Sequence, residues 1–495
     1  MRSKFIFSSF IIFYSILLFR IGFLSYKAPV RKFYNKVEVR KEILDCQNEV
    51  LAFTEETKSI YCIPHQLNSN SISFIKQTFN IDINIHKKKS FLWLKRHASQ
   101  NEINVSKHKK GIIIIKDHRR VYPYANNTSH IIGYCDRNLH GKSGAELSFN
   151  TSLINNTLQL TIDIRIQNIL HNIIKEISEE FESEDASGII VDVESGEVKA
   201  MVSYPSPNSN IPSTYLKKEN RNHNLSAIEV GSILKLHNAA MCLENQIVNL
   251  DSVVDATGTL QIGEFEVTDF FGKDKKMTFL ESVRFSSNIA TGRLALEIGV
   301  DKQKNFFRKI GFLNHIEWLP NQFAKPLLPK RWGKSTVVTA SYGYGIGLTS
   351  LHITQSLMRI LSGKSRNITF YASNNQSNKE EKIISKHTIE SIKIIMRTII
   401  KSAYRSINID GYEIGGKTGT ANMCENGVYV EGKNRVSYLG AFPMHRPKYI
   451  FLIQTTNPKK SKLKYGRYVV ASNVLTQKVR YAVQEIASIE NIEPI

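Results

Sequence analysis

Three short strings in this chain carry residue types that act together in acyl transfer. The first is Ser232-Ile233-Leu234-Lys235, preceded by Glu229-Val230-Gly231. The second is Ser286-Ser287-Asn288, and the third is Lys417-Thr418-Gly419-Thr420. A serine hydroxyl at its free pKa is a poor nucleophile and needs a base beside it. Lys235 follows Ser232 by three residues, on the same face of a helix, and brings an amine within reach. A lysine serves as a base only when neutral, and burial together with a second cation, Lys417, lowers its pKa. Ser286 can relay a proton, because a hydroxyl both donates and accepts. Asn288 can orient Lys235 and hold a substrate amide. The Lys417 charge suits a substrate carboxylate, and the Thr418 and Thr420 hydroxyls can bond the same group. Ser287, Thr291 and His237 lie nearby in sequence and are read as packing or solvent positions. Taken alone, Ser-x-x-Lys says little, since a capping serine followed by a solvated lysine arises by chance in most long chains. Three motifs in this order are another matter.

The elements that must position these residues can be read around them. Gly231 breaks structure before the serine, and Leu236, Ala239 and Ala240 then recur at helical spacing, so Ser232 is expected at or near a helix N-terminus. Upstream, residues 158–163 alternate like a strand, and a helix is expected from about 165 to 181 with Ile166, Ile169, Leu170, Ile173, Ile174 and Ile177 on one face. Residues 188–193 and 197–203 read as two strands joined by Glu194-Ser195-Gly196, where the glycine suits a tight turn. A hairpin beside helices predicts an α+β fold, an antiparallel sheet flanked by helices. Downstream, residues 363–387 are polar and read as a surface loop, residues 417–421 precede a strand at 435–442, and residues 471–486 read as a closing helix.

The chain has 495 residues, enough for two or three domains. Its 42% hydrophobic content is that of a globular protein. The net charge of +22 fits attraction to an anionic surface such as membrane lipid or cell-wall polymer, and equally fits a lysine-, isoleucine- and asparagine-rich composition. No zinc-finger or RNA-binding signature accompanies it, so nucleic acid is not expected as a partner. Cys46, Cys62, Cys135, Cys242 and Cys424 are widely spaced and odd in number, which implies neither a disulfide framework nor a zinc site. The histidines are scattered, and neither a metal nor a cofactor is expected.

Residues 5–24 are strongly apolar, with Arg20 the only charge. At about 1.5 Å per residue, such a helix just spans a hydrocarbon core. The preceding tail, residues 1–4, is short and positive, which predicts a cytoplasmic N-terminus. The boundary Phe23-Leu24-Ser25-Tyr26-Lys27-Ala28 lacks a clear small-x-small cleavage site, so an uncleaved signal anchor is expected rather than a removed signal peptide. Everything beyond it then lies outside the cytoplasm. Residues 25–155 are basic and irregular, with short helices expected at 71–79 and 91–97 and a buried strand at 111–115, and they hold no catalytic constellation. The catalytic domain is expected over residues 156–490.

Ser-x-x-Lys, Ser-x-Asn and Lys-Thr-Gly in this order resemble the signature of penicillin-interacting serine enzymes. Other strings extend the resemblance to class B penicillin-binding proteins. Arg40, Ile43 and Asp45 match an Arg-Gly-x-Ile-x-Asp-Arg-x-Gly motif in which Lys41, Cys46 and Asn48 depart from the pattern. Phe91-Leu92-Trp93-Leu94-Lys95-Arg96, Arg119-Arg120-Val121-Tyr122-Pro123, His130-Ile131-Ile132-Gly133, and Gly141, Gly144 and Glu146 are similar to strings of the division-specific, FtsI-type members. So are Thr268-Asp269-Phe270, Arg331-Trp332-Gly333 and Ser341-Tyr342-Gly343-Tyr344-Gly345-Ile346. Val230 stands where the family usually has proline.

The resemblance implies a membrane-anchored peptidoglycan D,D-transpeptidase with a non-catalytic pedestal over residues 25–155. Ser232 would be acylated by stem peptides ending in D-Ala-D-Ala, or by β-lactams. The backbone N–H groups of Ser232 and Thr420 would form the oxyanion hole, with Lys417 on an edge strand. A side-chain amine of a neighbouring stem would resolve the acyl-enzyme. The family further implies a periplasmic catalytic domain and, as partners, a SEDS-type (FtsW-like) polymerase and other division proteins. Three alternatives share parts of the pattern: an elongation-type class B transpeptidase, a β-lactamase or β-lactam sensor, and a catalytically degenerate division scaffold.

Overall fold

Isoleucines spaced three and four apart build helix α1, Ile164–Glu180, and its apolar stripe decides where the sheet must lie. The computed structural model describes residues 13–20, 39–83, 89–270, 274–372, 380–425, 427–459 and 470–495. The sheet under α1 has five strands: β1 (Asp185–Asp192), β2 (Val198–Tyr204), β3 (Gly415–Glu425), β4 (Val428–Phe442) and β5 (Tyr449–Thr456). Their order is β3-β4-β5-β1-β2, every neighbouring pair is antiparallel, and β3 is at an edge.

Side chains alternate across each strand, so the sheet carries two cores. On one face Ile190, Ala200, Phe451 and Ile453 meet α1 and the closing helix α6 (Ala471–Ile489). On the other, Ile189, Val191, Ile450 and Leu452 pack in one cluster with residues of three helices: α2 (Lys235–Glu244), α4 (Ser350–Ser362) and α5 (Lys386–Ala403). A further helix, α3 (Asn288–Ile310), contributes Ala290, Leu294 and Ile298 to the same cluster. Mixed α and β elements around an antiparallel sheet agree with the α+β expectation.

Residues 40–155 add a second sheet. Its central strand, Val50–Cys62, pairs with Ile112–Val121 and with Leu92–Lys95. Residues 91–97, expected to be a helix, contain this last strand instead. Phe91 and Trp93, two apart and therefore on one face of a strand, form an edge-to-face triad with Tyr61 at 5.7–6.0 Å. The strand expected at 111–115 runs on to Val121 and is only half-buried there, because one side of this small sheet faces solvent. The helix expected at 71–79 is present as Ser69–Phe79. Residues 158–163 are strand only at Leu158–Gln159, since Asp163 turns to cap α1. Within residues 363–387, Ile368 and Phe370 are buried against the core and Thr369 and Tyr371 bridge to Glu197 and Leu160, so the segment is not the free surface loop expected; residues 373–379 lie outside the described residues.

Three of the strings that carry the family resemblance meet in one buried ion cluster. Glu146 accepts from Arg40 (Nη2–Oε2 2.6 Å) on one side and Arg120 (Nε–Oε1 2.7 Å) on the other, and all three side chains are almost fully buried. Asp45 takes the N–H of Ile164 at 3.0 Å, which fixes the start of α1. The strand Ile43–Leu44 pairs both with Val50–Cys62 and, in parallel, with Leu158–Gln159, across the boundary expected near residue 155.

Residues 1–39 and 40–495 form two separate units. Of the anchor expected at residues 5–24, positions 13–20 are helical with Phe13, Ile16, Leu18 and Phe19 exposed, and the rest lies outside the described residues. Among the described residues, no helix is long and apolar enough to cross a membrane.

Candidate active site

Ser232 lies near the N-terminus of α2, as expected, but not within the α-helix itself. It lies in a 3-10 turn, Gly231–Leu234, that feeds directly into α2 at Lys235. A 3-10 turn repeats every three residues, so Ser232 and Lys235 are eclipsed along its axis, closer to alignment than in an α-helix. Gly231 adopts φ +61° to enter the turn, and its N–H donates to Gly343 O at 3.1 Å.

Lys235 is 1% exposed and is the hub of the site. Its Nζ lies against the Ser286 carbonyl, the Asn288 Oδ1 (2.6 Å) and the Ser286 Oγ (3.0 Å). Burial pushes the amine well below its ordinary pKa, and the Lys417 charge pushes the same way, against a smaller opposing pull from Asp269. A neutral amine has two hydrogens and one lone pair. The carbonyl of Ser286 and the Asn288 oxygen can only accept, so they take the two hydrogens. The lone pair is then free to take a proton, and once Nζ carries a third hydrogen the Ser286 hydroxyl at 3.0 Å can accept it, which is the geometry of a proton relay.

Each partner of Lys235 is itself fixed. Ser286 sits at φ +60°, a strained conformation for a non-glycine residue, and the strain costs on the order of 1–3 kcal/mol. It turns both the carbonyl and the hydroxyl of Ser286 to the lysine. Ser287 caps α3 by accepting from the Ala290 N–H (3.0 Å), which starts the helix at Asn288. Asn288 Nδ2 donates to Thr268 O (2.9 Å), leaving Oδ1 for Lys235. Asp269 takes the N–H groups of Asn288 and Ile289 at the positive end of α3. Thr291 Oγ1 bonds Ser287 O (2.6 Å), and His237 is buried between Ser356 Oγ (Nε2, 2.7 Å) and the Phe312 ring. Ser287, Thr291 and His237 are therefore packing positions.

Edge strand β3 carries Lys417 to Thr420 past the turn that holds Ser232. A Cβ on Gly419 would stand 3.0 Å from Ile233 Cγ2 and from Val230 O, so only glycine lets the strand lie this close. Lys417 is buried, and burial lowers its pKa to about 8. The Thr420 residue is exposed, while the Thr418 hydroxyl is engaged by Tyr404 (Oγ1–OH 2.5 Å). Of the two hydroxyls expected to meet a substrate carboxylate, Thr418 thus already has a partner. Tyr404, at the C-terminal end of α5, was not singled out from the sequence because nothing in its neighbourhood marks it.

The loop Tyr342–Gly345 forms the facing wall. Gly343 has φ +93°, and a Cβ there would lie 2.1 Å from Gly231 O. Replacing Gly343 with alanine must push back the turn that holds Ser232, and misplacing a reacting atom by about 1 Å costs roughly 100-fold in rate. Gly343→Ala is expected to slow acylation by that factor in a rapid-quench penicillin assay.

The chain belongs to the penicillin-binding-protein transpeptidase family: the penicillin binding protein transpeptidase domain matches residues 186–477, which hold all three motifs. Within that family its relatives are of the class B, FtsI type. It is 26% identical over 375 residues to the peptidoglycan D,D-transpeptidase FtsI of Caulobacter vibrioides, covering 72% of this chain and 64% of that protein, just under two thirds of its length. It is 25% identical over 498 residues to FtsI of Buchnera aphidicola subsp. Baizongia pistaciae, covering 91% and 84% of the two chains. It is 22% identical over 469 residues to the D,D-transpeptidase PenA of Neisseria meningitidis, covering 85% and 80%.

Proposed function

We propose that this protein is a peptidoglycan D,D-transpeptidase that cross-links stem peptides at the division septum through an acyl-enzyme on Ser232. The observation that carries the reading is the buried Lys235, held by Ser286 and Asn288 beside Lys417. Ser232 Oγ attacks the carbonyl of the penultimate D-Ala, and Lys235 takes its proton. The peptide bond breaks, and the leaving D-Ala receives that proton by way of Ser286. An acceptor amine then bonds the acyl carbon, the ester bond to Oγ breaks, and one amine proton returns to Ser232. The oxyanion is held by the Ser232 and Thr420 N–H groups, a donor pair whose members are each worth about 3 kcal/mol to the transition state. Lys417 and Thr420 receive the terminal carboxylate.

The septal role follows from the FtsI names of the relatives. Residues 5–24 serve as a signal anchor, a role supported by the exposed apolar side chains at 13–19, and the catalytic part faces the periplasm. Residues 25–155 act as the pedestal, and a SEDS-type polymerase with other division proteins supplies the glycan strands and the complex. Labelling with a fluorescent penicillin tests the chemistry: a covalent label that Ser232→Ala abolishes is expected, whereas a label that survives the substitution places the nucleophile elsewhere.

The two lysines set the pH dependence. Deprotonation of Lys235 creates the base, so acylation rises with pH. Loss of the Lys417 charge removes the partner of the carboxylate, so acylation by a penicillin falls again with an apparent pKa of about 8. A donor lacking the carboxylate should show the rising limb without the falling one in stopped-flow measurements.

A further inference from the structure

A cavity of about 800 Å³ opens beside the second sheet, and the chemistry above does not use it. Small-molecule sites typically measure about 300–1,000 Å³. Lys95, Arg96, Arg119, Arg120 and Arg137 line it, against one acid, Asp136. Most of these charges are matched. Arg96 meets Asp117 (2.7 Å), Arg119 meets Glu55 (2.6 Å), Lys95 meets Glu102 (3.7 Å), and Asp136 is held by Lys142 (3.0 Å). Burial pushes the pKa of His97, beside Asp117, below its ordinary value, so this ring adds no charge near neutral pH. Two positive charges are left over. Arg40 and Arg120 share the single carboxylate of Glu146, and Arg137 is exposed with no acidic partner among the described residues. Arg120 also has a donor to spare. Its Nε and Nη1 are engaged by Glu146 Oε1 (2.7 Å) and Lys41 O (2.8 Å), but Nη2 is buried and has no hydrogen-bond partner among the described residues. A buried donor without an acceptor is costly, and more so when it is charged.

Two unmatched charges call for a dianion. A guanidinium presents its N–H donors as a rigid fork that matches the oxygens of a phosphate. Arg96 Nη2 donates to Arg137 O at 3.4 Å, which sets these two arginines next to each other on the wall. The volume leaves room for an organic body beyond the phosphate, and Trp93 and Pro212 give that body an apolar surface. We propose that this cavity binds a phosphate monoester, whose dianion meets Arg120 Nη2 and the Arg137 guanidinium. The walls come from two parts of the chain. Arg96, Arg119 and Arg120 belong to the second sheet, whereas Ser209 and Asn210 follow β2 of the catalytic sheet. Asn210 is tied to Tyr122 in both directions, by Oδ1 to the Tyr122 N–H (3.1 Å) and by Nδ2 to its carbonyl (2.8 Å). The ester therefore sits where residues 40–155 meet the catalytic part.

Calorimetric titration of the full-length protein with glycerol 3-phosphate tests the site, in nonionic detergent, at fixed ionic strength and about pH 8, where a phosphate monoester is doubly charged. One site per chain is expected, roughly tenfold tighter than for dimethyl phosphate, a monoanion. Arg137→Gln removes an exposed side chain with no partner to lose, so the variant should fold, and it should bind about tenfold more weakly. Arg446→Gln, at an exposed arginine outside the cavity, should bind as the wild type does. No saturable binding, equal binding of the two phosphates, or an equal loss in the two variants overturns the site, the last by assigning the effect to the basic surface as a whole. A second measurement needs no variant. Phenylglyoxal modifies accessible guanidinium groups, and glycerol 3-phosphate should slow its reaction at Arg137 roughly threefold or more, read by peptide mapping, without slowing it at Arg446. Equal slowing at both arginines, or at neither, also counts against the site. Dibutanoyl phosphatidate, a water-soluble lipid, then identifies the source of the ester. Tighter binding than glycerol 3-phosphate supports the site as one for a membrane head group, and weaker binding supports it as one for a soluble ester, provided that Arg137→Gln weakens both.

Discussion

Lys235→Met should lose about three orders of magnitude in the rate of acylation by penicillin while Ser232 stays in place. A positioned general base contributes about 10²–10⁴-fold, and the amine of Lys235 is the group that the Ser286 carbonyl, the Ser286 hydroxyl and Asn288 converge on. Methionine fills the same buried space and removes the base. If Lys235 takes the proton, the rising limb of the pH profile should vanish in the variant, leaving a slow rate that does not respond to pH on the acid side. A residual rate that still climbs with pH would assign the base to another group. A variant that folds and acylates at the wild-type rate would leave the lysine a purely structural part of the site.

The second large effect concerns stability, far along the chain from the nucleophile. Glu146→Ala leaves two buried guanidinium groups, Arg40 and Arg120, without the carboxylate they share. Removing one member of a buried ion cluster typically costs about 3–5 kcal/mol. That loss should appear in chemical denaturation of the portion from residue 40 onward. Replacing all three together, Arg40→Met, Arg120→Met and Glu146→Leu, should recover most of it, because no uncompensated charge then remains. An alanine variant as stable as the wild type would mean that water has reached the cluster.

Much of this was legible because the motifs are local. Ser232 and Lys235 share one turn, Lys417 to Thr420 share one strand, and the spacing of isoleucines in α1 fixes a buried stripe. What could not be read depended on partners distant in sequence. Nothing near Tyr404 announces that it bonds Thr418, and Glu229 reads as a polar residue before a turn until Gly345 and Tyr429 close on it. Phe91 to His97 has a helix-compatible composition, yet the Tyr61 ring on a neighbouring strand draws Phe91 and Trp93 to one face. The segment after Gly363 looks polar by composition, but two of its apolar residues, Ile368 and Phe370, are enough to hold it against the core.

The glycine wall bears on how a protein of this kind can evolve under antibiotic pressure. Gly419 and Gly343 meet the turn that holds Ser232 through bare backbone, so any side chain introduced there displaces that turn. Escape from a β-lactam therefore has few routes through these positions. The variable ground lies at the rim, where Leu327, Asn422 and Val428 are exposed and can change size or charge without moving the turn. Substitutions selected by a drug should accumulate there, altering which acyl groups enter while leaving the backbone that activates Ser232 intact.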